Sequence, residues 1–425
     1  YKYNNYIYTM SMSRNNNYGR QKQHNKRQHG MHITSIKDAK EDTKKSQGEL
    51  DKMCISFWNE TPYVPVMGKQ HELEIKFSTM RNSPRVTRTD YDNVLKQLLS
   101  LGFTSKNMRG EYMLRINNEY LDATSARHKM SNIRTEVSGF SAVQEYCKTN
   151  DIVKLLNDPL YSRSVSMQKK YKAPSSKGNE GNEGFIESVD FRDFDFRASY
   201  NVEETFNTIS RTGLVKSTVD NWNKSKKTFR YLNRITLTHE DYPVKVDISI
   251  VKSSKIIRGG MERTYTTTES NVFYANENYE IEIEVDNSMI GPNTKYTDIK
   301  AVMESLKKVA KFVMMGLQET KFPVSKSEYN NIKSQYLKLI QQDPEYNLES
   351  KHFVGPSSYT LQLSHIQEVD EENTEPNIRT GYTVTDKADG ERRIMFITHT
   401  GHAYLINTNM KLLFTGAKTS NEKYF

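Results

Sequence analysis

Tyr279–Val285 reads Y-E-I-E-I-E-V. Glutamate alternates with a branched aliphatic residue without a break, the period of a strand rather than a helix. Glu280, Glu282 and Glu284 share one face; Ile281, Ile283 and Val285 share the other. A second stretch, His71–Phe77 (H-E-L-E-I-K-F), repeats the pattern, with Glu72, Glu74 and Lys76 opposite Leu73, Ile75 and Phe77. One such strand is accounted for by a solvated acidic face. Two of them, separated by strands that carry cations at the same period, form a different problem. Like charges on neighbouring strands repel, so a cluster of four or five carboxylates needs a divalent cation or fixed basic groups within it. Ligands that are all oxygen imply a hard ion, Mg²⁺ or Mn²⁺.

Between the two stretches the sequence predicts strands at Glu111–Asn117, Ser131–Val137, Glu187–Tyr200, Thr228–Thr238 and Val244–Val251. Helices are expected at Lys37–Trp58, from an N-cap at Thr89 to a stop at Gly102, at Ser141–Lys148, and at Asp298–Leu317, whose apolar stripe runs Val302, Leu306, Val309, Val313. A further helix begins at the capping-box pattern Ser325-x-x-Glu328 and runs to Gln342. Tyr1–Gly30, rich in Asn, Gln, Arg and Tyr, reads as a disordered tail, Ala173–Gly184 as an exposed insertion, and Asp343–Pro356 as a linker.

Near the other end lies Tyr382–Arg393, Y-T-V-T-D-K-A-D-G-E-R-R, which contains K-x-D-G-x-R: Lys387, Asp389, Gly390 and Arg392. Tyr382–Thr385 and Ile394–Thr398 read as strands, with Asp389-Gly390 as the turn between them. A cation near a lysine lowers its pKa and frees the amine as a nucleophile. The chemistry that fits is attack on a nucleotide α-phosphate. By itself the motif does not separate a ligase from a capping enzyme.

Composition agrees with a polyanionic partner. The 425 residues carry 61 Lys and Arg against 52 Asp and Glu, a net charge of +9. No apolar run approaches a membrane span. Two cysteines, Cys54 and Cys147, are too few for a disulfide framework or a thiolate zinc site. The chain opens on Tyr1, and both ends read as cut.

E-x-E-x-K near the start, E-x-E-x-E near the end and basic strands between them resemble the triphosphate tunnel metalloenzymes. The resemblance implies an α+β fold: an eight-stranded antiparallel β tunnel with charged side chains inward, apolar ones outward and flanking helices. It implies metal ligands at Glu72 and Glu74 and at two of Glu280, Glu282 and Glu284, the latter two favoured. It implies phosphate contacts from Lys76, Lys245 and Asp247 (the K-x-D pattern), with Arg134, Arg197 and Arg234 as candidates on the intervening strands. Leu232 stands where the family often has a further lysine, so only Arg234 carries over there. The lysine motif resembles the covalent nucleotidyltransferases, of the ligase and capping type rather than ATP-grasp.

Tunnel first and lysine motif second resembles the mRNA-capping enzymes of large cytoplasmic DNA viruses. That order implies a tail at 1–35, a triphosphatase domain at 36–320, a helix and linker at 321–356 and part of a guanylyltransferase at 357–425. The implied substrates are 5′-triphosphate RNA and GTP. The implied partner is a methyltransferase domain or subunit, no membrane is involved, and the setting is the cytoplasmic viral factory or the virion. The carboxylate strand, lysine-bearing strands and OB-fold that the family has after the lysine do not follow here. Two alternatives from other classes are a nucleic-acid ligase with an unrelated β domain and a non-catalytic nucleotide- or RNA-binding scaffold.

Overall fold

Strict alternation of charged and branched side chains governs the central sheet of the computed structural model, which describes residues 36–425 except 81–82, 123, 176–183, 209–212, 258, 356–359, 369–376, 380, 385, 387–388, 422 and 424–425. The sheet is built from β1 (Lys69–Phe77), β2 (Glu111–Asp122), β3 (Arg127–Ser138), β4 (Val165–Lys172), β5 (Val189–Phe191), β6 (Phe196–Phe206), β7 (Lys227–His239), β8 (Tyr242–Ser253) and β9 (Asn278–Val285). Its order is β1-β9-β8-β7-β2-β3-β4-β6, and β6 pairs again with β1. The result is a closed, all-antiparallel barrel of eight strands, with β5 pairing β6 beyond the end of β4. Closure leaves these eight strands no long free edge.

The barrel is inside out relative to a water-soluble sheet. Leu73, Ile75, Ile281, Ile283, Val246 and Ile248 point outward and are at most 1% exposed. They lie beneath α1 (Ile36–Asn59), α2 (Arg88–Ser100) and α6 (Ile299–Gln318), whose Phe57, Val94, Val302, Leu306, Val309 and Val313 complete one core. Each such side chain contributes about 1.5–3 kcal/mol by leaving water. Gly316 lets α6 approach α2, since a Cβ there would stand 2.6 Å from the Val94 Cα. The opposite wall is covered by α3 (Phe140–Thr149), α4 (Ile152–Asn157) and α5 (Gly213–Asp220), with Tyr146 and Trp222 over Ile116, Ile133, Met167 and Phe229.

After α6 comes α7 (Lys326–Leu339), capped by Ser325. Its Ile332 and Tyr336 pack on a three-stranded sheet, β10 (Arg393–Ile397), β11 (His402–Asn407) and β12 (Leu412–Lys418), through Phe396, Tyr404 and Ile406. Glu328 turns to this sheet and accepts the Tyr404 hydroxyl at 2.8 Å. The Asp343–Pro356 stretch is tied in where described, with the Tyr336 hydroxyl donating to the His352 carbonyl at 2.6 Å. The chain from Ser35 onward forms one compact unit.

Four local expectations change. The α2 cap is Thr87, not Thr89, because Thr87 and Asp90 exchange side-chain-to-backbone bonds in a reciprocal box. The strand expected at Glu187–Tyr200 is interrupted by a turn at 192–195 and continues to Phe206. The barrel's remaining strand is Val165–Lys172, which the sequence reading left unassigned. Tyr382–Val384 is not a strand. Tyr382 is 60% exposed and Val384 fully so, and β-branched residues favour a strand only where a ladder and a buried face exist. β10 pairs with β11 alone among the described residues, so Asp389-Gly390 is not the turn of a hairpin there. The expected tail, with His24, His29 and His32, and most of the 173–184 insertion lie outside the described residues.

Candidate active site

Register sets the site. Glu74 pairs with Glu284, Glu282 with Asp247, Ser249 with Arg234, Leu232 with Met113, Arg115 with Glu136, Arg134 with Gln168, Lys170 with Glu203, and Asn201 with Glu72. A two-residue step toward one mouth at each junction links Glu74, Glu282, Ser249, Leu232, Arg115, Arg134, Lys170 and Asn201 and returns to Glu74. These residues form a ring around the lumen. That mouth is the one flanked by the β2–β3 hairpin.

The next ring inward, away from the hairpin, carries Glu72, Glu284, Asp247, Glu136 and Glu203 with one cation, Arg234. The next ring outward carries Lys76, Arg230 and Lys172 with one carboxylate, Glu280. Charge is therefore graded along the axis, acidic within and basic toward the hairpin mouth.

Ion pairs knit the rings together. Lys170 Nζ lies 2.6 Å from Glu72 and 3.1 Å from Glu74. Lys76 Nζ lies 3.3 Å from Glu74 and 3.1 Å from Glu282. Arg234 reaches Asp247 at 2.9 Å and Glu282 at 3.7 Å. Arg115 holds Glu136 at 2.7 Å, and Arg134 holds Glu203 at 3.2 Å. Burial lowers the Lys170 pKa, but Glu72 and Glu74 more than offset it and the ammonium is held charged. Burial pushes Glu282 up, yet Lys76 and Arg234 bring it down to about 2. Glu284 goes the other way: burial, then the charges of Glu72 and Asp247, push its carboxyl well above the ordinary range.

The donor set tests for a metal. Glu72, Glu284 and Asp247 share one ring and offer only oxygen, which suits a hard divalent ion. Among the described residues no three carboxylate, imidazole or thiolate groups converge as they stand to hold one; Lys170 and Lys76 occupy the spaces between the glutamates. Glu72, Glu74, Glu282, Glu284 and Asp247 fit such an ion by chemistry and by sharing neighbouring strands.

The structure brings Glu72, Glu74, Lys76, Glu282, Glu284, Arg234, Arg134 and Asp247 into the two inner rings and the rim next to them. Glu280 stands apart, chelated by Arg230 at 2.6 and 2.9 Å. Arg197 sits at the start of β6 and is taken by Asp190 at 2.6 and 3.0 Å. Lys245 turns to Asp286 at 3.6 Å. Sequence reasoning missed Lys170, Arg115, Arg230, Glu136 and Glu203. Arg115 and Glu136 fall on inward positions of strands it did assign, so a count of inward charges on β2 and β3 would have found them.

Of the lysine motif, Lys387 lies outside the described residues. Asp389 and Gly390 are exposed, and the Arg392 guanidinium stacks over the Phe353 ring, 4.9 Å from its centre.

No protein-family model matches the chain. A curated relative from Acanthamoeba polyphaga mimivirus, named "Probable mRNA-capping enzyme", is 32% identical over 182 residues, which is 43% of this chain and 12% of the relative. The chain thus matches about an eighth of that relative's length. Among solved structures, the S. pombe Pct1 RNA triphosphatase covers 62% of this chain and 92% of its own at 11% identity and a TM-score of 0.32. The same protein in complex with the Spt5 CTD gives the same TM-score. The barrel assignment rests on the strand pairings above.

Proposed function

We propose that the tunnel removes the γ-phosphate of 5′-triphosphate RNA, as the first activity of an mRNA-capping enzyme. The observation that carries this reading is the graded lumen: carboxylates Glu72, Glu74, Glu282 and Glu284 on adjoining strands, faced across the barrel by Lys170, Arg134 and Arg115. The name of the mimivirus relative supports it.

The four glutamates would hold a divalent ion, which when bound neutralises charge on the transferring phosphate. Lys170 and Lys76, now paired with those glutamates, are long enough to swing to phosphate oxygens. Arg134, Arg115 and Arg234 hold fixed positive charge around the polyphosphate, so catalysis is largely positioning and electrostatics. A water attacks the γ-phosphorus opposite the bridging oxygen and gives its proton to a lumenal glutamate. The bond from that phosphorus to the β-bridging oxygen breaks, leaving a 5′-diphosphate RNA and inorganic phosphate.

The second activity belongs to Lys387. Its amine attacks the α-phosphorus of GTP, pyrophosphate departs, and the GMP passes to the 5′-diphosphate end. GTP is the co-substrate, a methyltransferase domain or subunit the expected partner, and the viral factory or virion the setting. No helix among the described residues is long and apolar enough to cross a membrane.

The test is release of labelled phosphate from γ-labelled 5′-triphosphate RNA with Mg²⁺ or Mn²⁺. Release that persists undiminished in excess EDTA contradicts the metal site. Absence of release under all conditions favours the scaffold.

A further inference from the structure

The hairpin mouth has an outer groove that the hydrolysis does not use. It has a volume of about 530 Å³ and lies between α5 and the top of the β2–β3 hairpin, lined by Asn118, Glu119, Tyr120, His128, Lys169, Leu214 and Lys224 among others, with Glu119 paired to Arg263 at 3.3 Å. We propose that this groove binds the RNA chain downstream of the 5′ triphosphate, so that the tunnel distinguishes an RNA end from a free nucleotide. The proposal rests on the triphosphatase reading.

The direction comes from the rings. A polyphosphate with its γ end at the glutamates can leave the rest of the molecule in either mouth. The inner route passes Glu72, Glu284, Asp247, Glu136 and Glu203, whose charges repel a phosphodiester chain. The outer route passes Lys76, Arg230 and Lys172. An RNA therefore leaves by the mouth beside the groove.

The groove then offers what single-stranded nucleic acid needs, cations for the backbone and exposed flat or apolar surface for the bases. Tyr120 is 48% exposed and Leu214 59%. Lys169 lies over the Tyr171 ring at 5.5 Å and Lys226 over Tyr265 at 5.7 Å, so basic and aromatic side chains already interleave at this end. Asn118 is 4% exposed; its amide donates to Ser225 Oγ at 3.0 Å, and its Oδ1 has no hydrogen-bond partner among the described residues, an unused acceptor in the floor.

The experiment compares the protein with Tyr120→Ala and with the double variant Lys169→Glu/Lys224→Glu, each checked for folding by circular dichroism. Substrates are a γ-labelled 5′-triphosphate RNA of about ten nucleotides, within the span such grooves cover, and ATP. The expected result is a KM for the RNA raised about tenfold, a weaker salt dependence of that KM in the double variant, and unchanged constants for ATP. An unchanged KM for RNA, or an equal loss with ATP, overturns the groove. If the wild-type protein hydrolyses neither substrate, the triphosphatase reading has failed. Fluorescence anisotropy of the same RNA with a 5′ hydroxyl then decides the groove separately: equal binding by wild type and double variant overturns it. So does binding of a labelled polyglutamate peptide by a protein that does not bind this RNA, since that marks an acidic-peptide site.

Discussion

Glu74 stands directly opposite Glu284 across the β1–β9 ladder, and the two carboxylates live in different fields. Glu74 takes Lys170, Lys76 and the Asn201 amide within 3.3 Å. Glu284 accepts the Gln70 amide at 3.3 Å and lies under the charges of Glu72 and Asp247. Burial, then the charges of Glu72 and Asp247, disfavour the ionised form of Glu284, so this corner of the barrel loses stability where that carboxyl ionises.

A pH dependence follows from the Glu284 carboxyl. Glu284 is raised from 4.5 to about 8 in the fold. The folded state therefore holds a proton that the unfolded chain releases earlier, and the associated stability is full below pH 4.5 and lost as pH rises through about 8. Glu282, lowered to about 2, acts oppositely: its stability is present above the ordinary carboxylate pKa and lost as pH falls toward 2. In metal-free protein the melting temperature should decline from mildly acid to weakly alkaline pH. Glu284→Gln should flatten that decline, and Mg²⁺ or Mn²⁺ should raise the melting temperature most at the alkaline end. Thermal melts across pH that show the same slope in both proteins would contradict the assignment.

Glu74→Gln and Glu282→Gln should each reduce phosphate release at least ~100-fold, because each removes a charged oxygen from the proposed ion site. Neither should unfold the barrel, whose stability comes from the outward aliphatic layer under α1, α2 and α6. Steady-state rates together with circular dichroism check this; a variant that keeps near-wild-type turnover shows that its carboxylate does not serve the reaction.

Lys170→Met should be costly in two separable ways. It strips Glu72 and Glu74 of their shared cation; Glu74 keeps Lys76, but buried Glu72 loses its ion pair, a loss of about 1–3 kcal/mol. Added divalent metal should restore the melting temperature but not the rate, because phosphate has lost a cation that the metal does not replace. A variant rescued in both by metal would assign Lys170 to holding the glutamates alone.

The two glutamate strands were legible because nothing interrupts their alternation. Val165–Lys172 was not. In V-S-M-Q-K-K-Y-K the inward series Ser166, Gln168, Lys170 and Lys172 is polar, but the outward series Val165, Met167, Lys169 and Tyr171 carries a charge, so no face is uniformly apolar. The same mixing hid Arg230, whose lumenal neighbours Met113, Leu232 and Val251 form a small apolar cluster on the inner wall. Register also governs Arg197. It alternates inward as expected, yet β5 places Asp190 beside it, and pairing with a residue on a short strand left no trace in the sequence pattern. Tyr382–Val384 shows the reverse error: strong strand propensity without a partner or a face to bury.

The lysine motif and the tunnel should be separable by mutation. Lys387 is the one proposed nucleophile, and among the described residues none of the lumenal ion pairs involves a residue beyond Asp286. Lys387→Ala should therefore leave phosphate release from 5′-triphosphate RNA unchanged within about twofold, on the usual near-additivity of sites that share no partners. Lys387→Arg should do the same, since a guanidinium stays protonated and cannot attack. Covalent transfer is a stricter demand: the α-phosphorus must be held in line with the amine, a positioning effect worth roughly 7–11 kcal/mol in favourable model systems. Asp389 and Gly390 are exposed and Arg392 is engaged with Phe353, so these 425 residues alone should form little or no acid-labile adduct with α-labelled GTP. The measurement is a denaturing gel of the protein and both variants after incubation with label and Mg²⁺ or Mn²⁺. A labelled band on the unmodified protein that disappears in Lys387→Ala would mean that the described motif residues rearrange into a working guanylyltransferase site.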